Sequence, residues 1–244
     1  MDISIIDLRS AFAGEPGAEE KTAREIFTAC ERLGFFFIRN HGIAPDLVDR
    51  MFDETRRFHA LPLERKMRVK MATRVFAGYL PLGGQTQRTS KFARSTHPDS
   101  STSFYVREEY SPGHPDRLAK KPWVVDNLWP EDLPGFRETA LEYFFAMQGL
   151  GMRLLPLQSL SFGLPADFIS NHEAFSPPSS TLRLLMYPPR DPLLEGQFGI
   201  GPRPDVRLAC LPSCQSADAP PRFEPRSFGE LLAEINSRNI DLVN

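Results

Sequence analysis

The chain has 244 residues, enough for one large domain or two small ones, with 41% hydrophobic and 25% charged residues, as in an ordinary globular protein. A formal net charge of −2 leaves no basic field to hold nucleic acid or an anionic membrane surface, so neither is expected as a partner. Three cysteines (Cys30, Cys210 and Cys214) make neither a disulfide framework nor a four-ligand zinc set, and the first residues lack the basic and long apolar regions of a secretory signal. A reducing, cytoplasmic location is expected.

In chain order, Ile3, Ile5, Ile6 and Leu8 read as a short opening strand. Thr22-Ala23-Arg24-Glu25 has the form of a capping box, so a helix is expected from Thr22, with Ile26, Ala29, Cys30 and Leu33 at helical spacing and Gly34 as its stop. Phe35-Phe36-Phe37-Ile38 is a short apolar run that predicts a buried strand, and Asn40-His41-Gly42 is turn chemistry. A second helix is expected from Pro45 to about Phe58, with Leu47, Val48, Met51 and Phe52 inward. A third should start after Pro62 and run to about Met71.

The stretch from Thr73 to Pro122 is rich in Ser, Thr, Gly, Pro and charge and reads mostly as loop, with a short strand possible around Phe104-Tyr105-Val106. Pro134 opens the longest helix, to about Phe162, with Phe136, Ala140, Phe144, Met147, Gly151 and Leu154 close to one face and a kink or restart at Pro156. Leu182 to Met186 is apolar except for Arg183 and predicts a strand covered on both sides, with Arg183 facing solvent or in a salt bridge. Ser227-Phe228-Gly229-Glu230 opens a short amphipathic final helix.

Several separated stretches resemble one family in one order: the non-haem Fe(II)/2-oxoglutarate oxygenases of the isopenicillin N synthase type. They are Leu33 to Ile43, Leu61 to Lys66, Gly78-Tyr79-Leu80-Pro81, Asn127 to Arg137, and Ser180 to Pro189 followed by Gly196-Gln197-Phe198-Gly199-Ile200-Gly201. Cys210 to Gln215 and Pro220 to Pro225 resemble the family's closing tail. The resemblance implies an α+β fold, with a helical N-terminal region and a jelly-roll-like double-stranded β-helix. On that pattern residues 1–122 are the N-terminal region, 123–178 the long helix that packs on the barrel, 179–209 a truncated core and 210–244 the tail. It also implies Fe(II) and 2-oxoglutarate as cofactors, a small-molecule substrate, and hydroxylation, desaturation or ring closure as the reaction.

That chemistry needs two His and one carboxylate on one side of the iron, plus a cation for the far carboxylate of 2-oxoglutarate. In the family a His-x-Asp pair follows the Gly-rich run. Here Gly201-Pro202 is followed by Arg203-Pro204-Asp205, and Arg offers no ligand lone pair. Either that triplet is a degraded His-x-Asp, or the tail begins at Arg203 and an internal segment is missing; the continuous match of Val206 to Gln215 to the tail favours the second. The expected consequence is a chain with no catalytic and no metal-ligating residues, a shortened form of an oxidoreductase or a remnant that acts at most as an interaction module.

Five histidines exist, and two stand in His-x-Asp form, His97-Pro98-Asp99 and His114-Pro115-Asp116, both in polar loops where solvated turns are expected rather than metal sites. His41 is expected to serve its own turn, while His59 and His172 have no partner pattern nearby. Tyr187 is the one inherited site residue: in the family a Tyr at this strand position approaches the 2-oxoglutarate carboxylate. Leu185 stands where relatives often carry a polar group, and a core-edge role for Tyr187 fits equally.

Overall fold

A computed structural model describes residues 2–72, 76–86, 97–121, 123–171, 180–189 and Gly199. The chain divides into two compact units, and the boundary falls inside two helices, α3 (Pro45–Ala60) at Val48/Asp49 and α6 (Phe136–Ser161) at Phe144/Phe145.

The first unit takes in residues 2–48 and 145–171. Strand β1 (Ile5–Asp7) pairs in parallel with β2 (Phe37–Arg39), so that Ile6 lies opposite Ile38 and Asp7 opposite Arg39. Between them stand α1 (Arg9–Phe12) and α2 (Ala18–Arg32). Helix α2 starts four residues before the expected capping box. Gly17, at φ +74°, occupies the N-cap, Glu19 and Glu20 in the first turn suit the positive end of the helix dipole, and Thr22 is an interior residue only 5% exposed. A glycine that can turn the chain left-handed outranks a Ser/Thr box further along. The expected stop does hold: Gly34 has φ +81° and donates to the Cys30 carbonyl at 2.9 Å.

The Phe35–Ile38 run is only half the buried strand it resembles. Phe36 and Ile38 pack with Ile6, Leu8, Ile26, Ala29, Leu150 and Leu157, while Phe35 and Phe37 are 56% and 58% exposed, as alternation along an extended chain requires. After β2 the turn is as expected: Asn40 has φ +56°, Gly42 φ +84°, and the Ile43 amide donates to His41 Nδ1 at 3.1 Å.

The second unit takes in residues 49–144 and 180–189 with Gly199. Helix α4 (Leu63–Arg68) begins after Pro62 and stops three residues short of Met71, because the chain turns at Val69 to run beside the next strand. There the Tyr79 amide donates to Val69 O at 2.7 Å and the Met71 amide to Tyr79 O at 2.8 Å. Strands β3 (Gly78–Leu80), β4 (Thr102–Arg107) and β5 (Thr181–Met186) form an antiparallel sheet in that order, and α5 (Pro115–Leu118) follows β4. The short strand expected around Phe104-Tyr105-Val106 is β4, and β3 is a second strand in a stretch that, apart from these and α5, is irregular among the described residues. Helix α7 (Phe168–Asn171) closes the last described part of the first unit.

One face of the sheet is the core. Tyr79, Phe104 and Leu184 sit side by side across the three strands, so their side chains share that face. They pack with Met51 and Phe58 of α3 and with Phe136, Ala140 and Phe144 of α6. Phe58 and Phe104 have ring centres 4.6 Å apart, and Phe104 meets Phe136 edge-on at 5.3 Å. Phe52, expected inward on α3, is exposed; Glu54 and Phe58, about one and two turns after the buried Met51, take the covered positions. Pro156 lies inside α6 without ending it.

The fold is α+β, with a helical N-terminal region and a partial jelly-roll core of three strands among the described residues. Among the described residues no helix is long and apolar enough to cross a membrane. The final helix, the Arg203-Pro204-Asp205 triplet, His172, Cys210 and Cys214 lie outside the described residues.

Candidate functional site

The other face of the β3–β4–β5 sheet carries the polar chemistry. Tyr105 lies opposite Arg183 and Ser103 opposite Leu185 on β5, and Leu80 of β3 lies opposite Ser103. These side chains therefore project away from the Phe104 core. Leu80 and Tyr105 pack with Met71 and Phe76, giving this face an apolar floor.

Arg183 is set into that floor. Its Nε donates to Ser103 Oγ at 2.8 Å, its Nη2 donates to Gln85 Oε1 at 3.2 Å, and its guanidinium carbon stands 5.1 Å from the centre of the Tyr105 ring. Ser103 is wholly buried, and Gln85 and Tyr105 nearly so. Gln85 is tied down in turn, since its carbonyl accepts the Asp99 amide at 2.8 Å. Arg183 is thus neither solvent-facing nor salt-bridged as its lone charge on an apolar strand suggests: among the described residues its partners are neutral.

Residues 99–103 run buried into β4 although every one of them is polar, and Asp99 is 2% exposed. The expectation of a solvated loop at His97-Pro98-Asp99 fails there. The second His-x-Asp pair does form a turn: His114 caps α5, with its Nδ1 accepting the Asp116 amide at 3.2 Å, and its ring lies 4.7 Å from that of Tyr110.

His59, for which the sequence offered no partner, lies buried beside β5 with Nε2 3.2 Å from the Leu184 carbonyl. A carbonyl only accepts, so Nε2 carries the proton, and Nδ1 is left buried without a hydrogen-bond partner among the described residues. Burial, opposed by the Leu184 hydrogen bond and assisted by the charge of Lys66, holds the imidazole below its ordinary pKa. Lys66 Nζ is held 2.8 Å from the His59 carbonyl, and its own pKa is lowered by burial.

Tyr187 follows β5 in phase with Arg183 and Leu185 and is 48% exposed. Gly199 lies against its ring so closely that a Cβ there would come within 3.0 Å of Tyr187 Cδ1. No three His, Cys, Asp or Glu side chains among the described residues stand together as a metal site would need. The described residues therefore do not fit an iron centre of the two-His-one-carboxylate kind.

Arg183, Leu185 and Tyr187 of this face are singled out by the sequence pattern. Gln85, Ser103 and Tyr105 give no motif; the one available signal is strand phase, because 103 and 105 alternate with the core residue Phe104.

A family model described as non-haem dioxygenase in morphine synthesis N-terminal matches residues 3–132. The 2-oxoglutarate-dependent dioxygenase tropC of Talaromyces stipitatus is 33% identical over 199 residues, covering 78% of this chain and 58% of that protein. The 2-oxoglutarate-dependent dioxygenase eupC of a Phoma species is 32% identical over 224 residues, covering 86% of this chain and 67% of that one. Among solved structures, a 2OG-Fe(II) oxygenase family protein from Caulobacter crescentus superposes with a TM-score of 0.62 at 26% identity, covering 77% of this chain and 57% of its own. The chain spans between half and two thirds of the length of curated relatives such as these.

Proposed function

The chain belongs to the non-haem dioxygenase family whose members use Fe(II) and 2-oxoglutarate, and from that premise we propose that it derives from an oxidoreductase that hydroxylates, desaturates or ring-closes a small molecule. The observation that carries this reading is the placement of Arg183, Leu185 and Tyr187 in one phase of a strand whose opposite face is sealed by α3 and α6. One face is closed by core packing, and the other carries Ser103, Arg183 and Tyr187, of which Tyr187 is 48% exposed. Tyr187, half-exposed at the end of β5 and backed by Gly199, is the residue we assign to a 2-oxoglutarate carboxylate. Decarboxylation of 2-oxoglutarate at iron is the chemistry the cofactors supply in the family.

The same proposal holds that the chain as it stands does not turn over. On this reading residues 179–209 are what remains of the β-helix core and 210–244 the closing tail, joined at Gly201-Pro202-Arg203 with the iron-gripping segment absent. What supports it is the sequence, in which Arg203-Pro204-Asp205 stands where the family has His-x-Asp, and the commitment of His114 to a helix cap. The same proposal includes a cytoplasmic location and neither a nucleic-acid nor a membrane partner, for which the support is the formal net charge of −2.

Incubating the purified chain with Fe(II), ascorbate and 2-oxoglutarate is expected to yield no succinate, and succinate formation would overturn the inactive reading. Sequencing the transcript across codons 201–203 is expected to reveal an omitted in-frame segment that encodes a His-x-Asp pair.

A further inference from the structure

The two-stranded sheet of the first unit is open along one edge and bare on one face. The Phe37 amide donates to Ser4 O at 2.9 Å and the Leu8 amide to Arg39 O at 3.0 Å, so Ser4, Ile6 and Leu8 turn their backbone groups toward β2. By alternation Ile5 and Asp7 turn theirs the other way, and among the described residues no hydrogen bond reaches the Ile5 N–H or C=O. Residues 3–6 of this edge include neither proline nor charge, the usual devices that keep an edge strand from pairing. Ile5 lies opposite Phe37, both on the face turned away from the Ile6 and Ile38 core, and Ile5 is 63% exposed. A parallel strand pair is ordinarily covered on both faces.

A groove runs beside the open edge, with Ser4, Ile5 and Ile6 on one side and Lys21, Arg24, Glu25 and Thr28 of α2 on the other. Arg24 and Glu25 are exposed, and among the described residues neither is in an ion pair. One wall of the groove thus carries both signs of charge side by side. A two-fold axis at Ile5 runs a second α2 antiparallel to the first. Arg24 then meets Glu25 of the second copy, Glu25 meets its Arg24, and Lys21 meets the neutral Thr28. The same axis sets Ile5 opposite Ile5, where an antiparallel pair exchanges both N–H···O bonds. Phe37, Ile5, Ile5 and Phe37 become one apolar band across four strands. Because each copy spends the same edge, the pairing closes as a dimer.

We propose that the free edge of β1 is an interface between two copies of this chain, joined as a continuous β2–β1–β1–β2 sheet and flanked by reciprocal Arg24–Glu25 pairs. A second copy is the occupant because it brings the complement of both charges and of the apolar row, which the groove itself supplies. The surface lies wholly in the first unit and involves no residue assigned to the oxygenase chemistry above.

Sedimentation equilibrium of the unaltered chain, from micromolar to submillimolar concentration, is expected to show a monomer–dimer equilibrium. Arg24→Glu and Glu25→Arg should each weaken it by about tenfold or more, because the axis counts each repulsion twice. The double variant, which restores opposite charges across the axis, should return it toward the unaltered value. Ile5→Pro, which removes an amide that β2 does not use, should weaken it as well. In the unaltered chain, amide exchange of the peptide that contains Ile5 should slow as concentration rises, so a variant that fails to fold does not decide the matter. A monomer at every concentration overturns the proposal. A dimer that the single charge variants leave unchanged, or that the double variant fails to restore, also overturns it. A protected Ile5 amide in a monomer does the same, since another segment of the same chain then holds the edge.

Discussion

Arg183 and Tyr105 face each other directly across the β4–β5 ladder, with the guanidinium carbon 5.1 Å from the ring centre, and Ser103, two residues before Tyr105, accepts the Arg183 Nε proton at 2.8 Å. The pair binds β5 to β4 by side chains as well as by backbone. Replacing Ser103 with Ala leaves a half-buried N–H without its acceptor, and the expected loss is about 1–3 kcal/mol of stability. Ser103→Thr, which keeps the hydroxyl, should lose less. Urea denaturation midpoints of the two variants test the difference; equal midpoints would count against the hydrogen bond.

On the opposite face, Phe104 is wholly buried among Phe58, Phe136 and Trp129. Phe104→Ala should cost about 3–5 kcal/mol, because removing the ring takes away its transfer energy and leaves a cavity that rigid neighbours do not fill. Against a typical total of about 5–15 kcal/mol, that unfolds a large fraction of the protein at moderate denaturant. Loss of the sheet signal in circular dichroism at a clearly lower urea concentration is the expected result.

Gly78 opens β3 at φ +99°, and a Cβ there would come 2.6 Å from the Val69 carbonyl and 3.0 Å from Leu128. Gly78→Ala meets both a backbone clash and a strained dihedral, so it should destabilise by more than about 1 kcal/mol. Gly113→Ala, where added atoms meet nothing, is the control expected to keep the wild-type melting temperature.

His59 predicts a pH dependence with a definite sign. Its folded-state pKa is lowered from 6.5, chiefly by burial, so the unfolded chain binds its proton more readily. Stability from this residue is complete above about pH 6.5 and is lost as pH falls below it, until the folded-state pKa is reached. His59→Gln should flatten the wild-type fall in melting temperature between about pH 6.5 and 5. An identical slope in both proteins would remove His59 from the account.

The helices were legible because their signals are local. Gly34 as a stop, Pro62 before a helix start and the 3.6-residue spacing of Phe136, Ala140 and Phe144 need nothing but neighbours in sequence. Thr22 shows where local signals compete: its capping box is well formed, but Gly17 turns the chain four residues earlier and Thr22 becomes an interior residue. The strands at Leu182–Met186 and around Phe104-Tyr105-Val106 were also legible, whereas β3 lay in a stretch whose Ser, Thr and Gly content resembles loop. That short strand, Gly78–Leu80, holds because β4 supplies pairing and the core supplies cover.

By itself the sequence determined the family, the order of the main helices and the strand at Leu182–Met186. Only the tertiary structure decided which face of that strand packs on the Phe58–Phe136 core and which holds Arg183 against Ser103, Gln85 and Tyr105. Period-2 alternation says that 183, 185 and 187 share a face, but the cover on the other face comes from Phe58 and Phe136, far away along the chain. The same distance hid His59, whose carbonyl partner is Leu184, and Arg183, whose acceptors are Ser103 and Gln85. Burial and partnership depend on elements brought together by folding, and a charge on an apolar strand reads as solvent-facing until the side chains that receive it are in place.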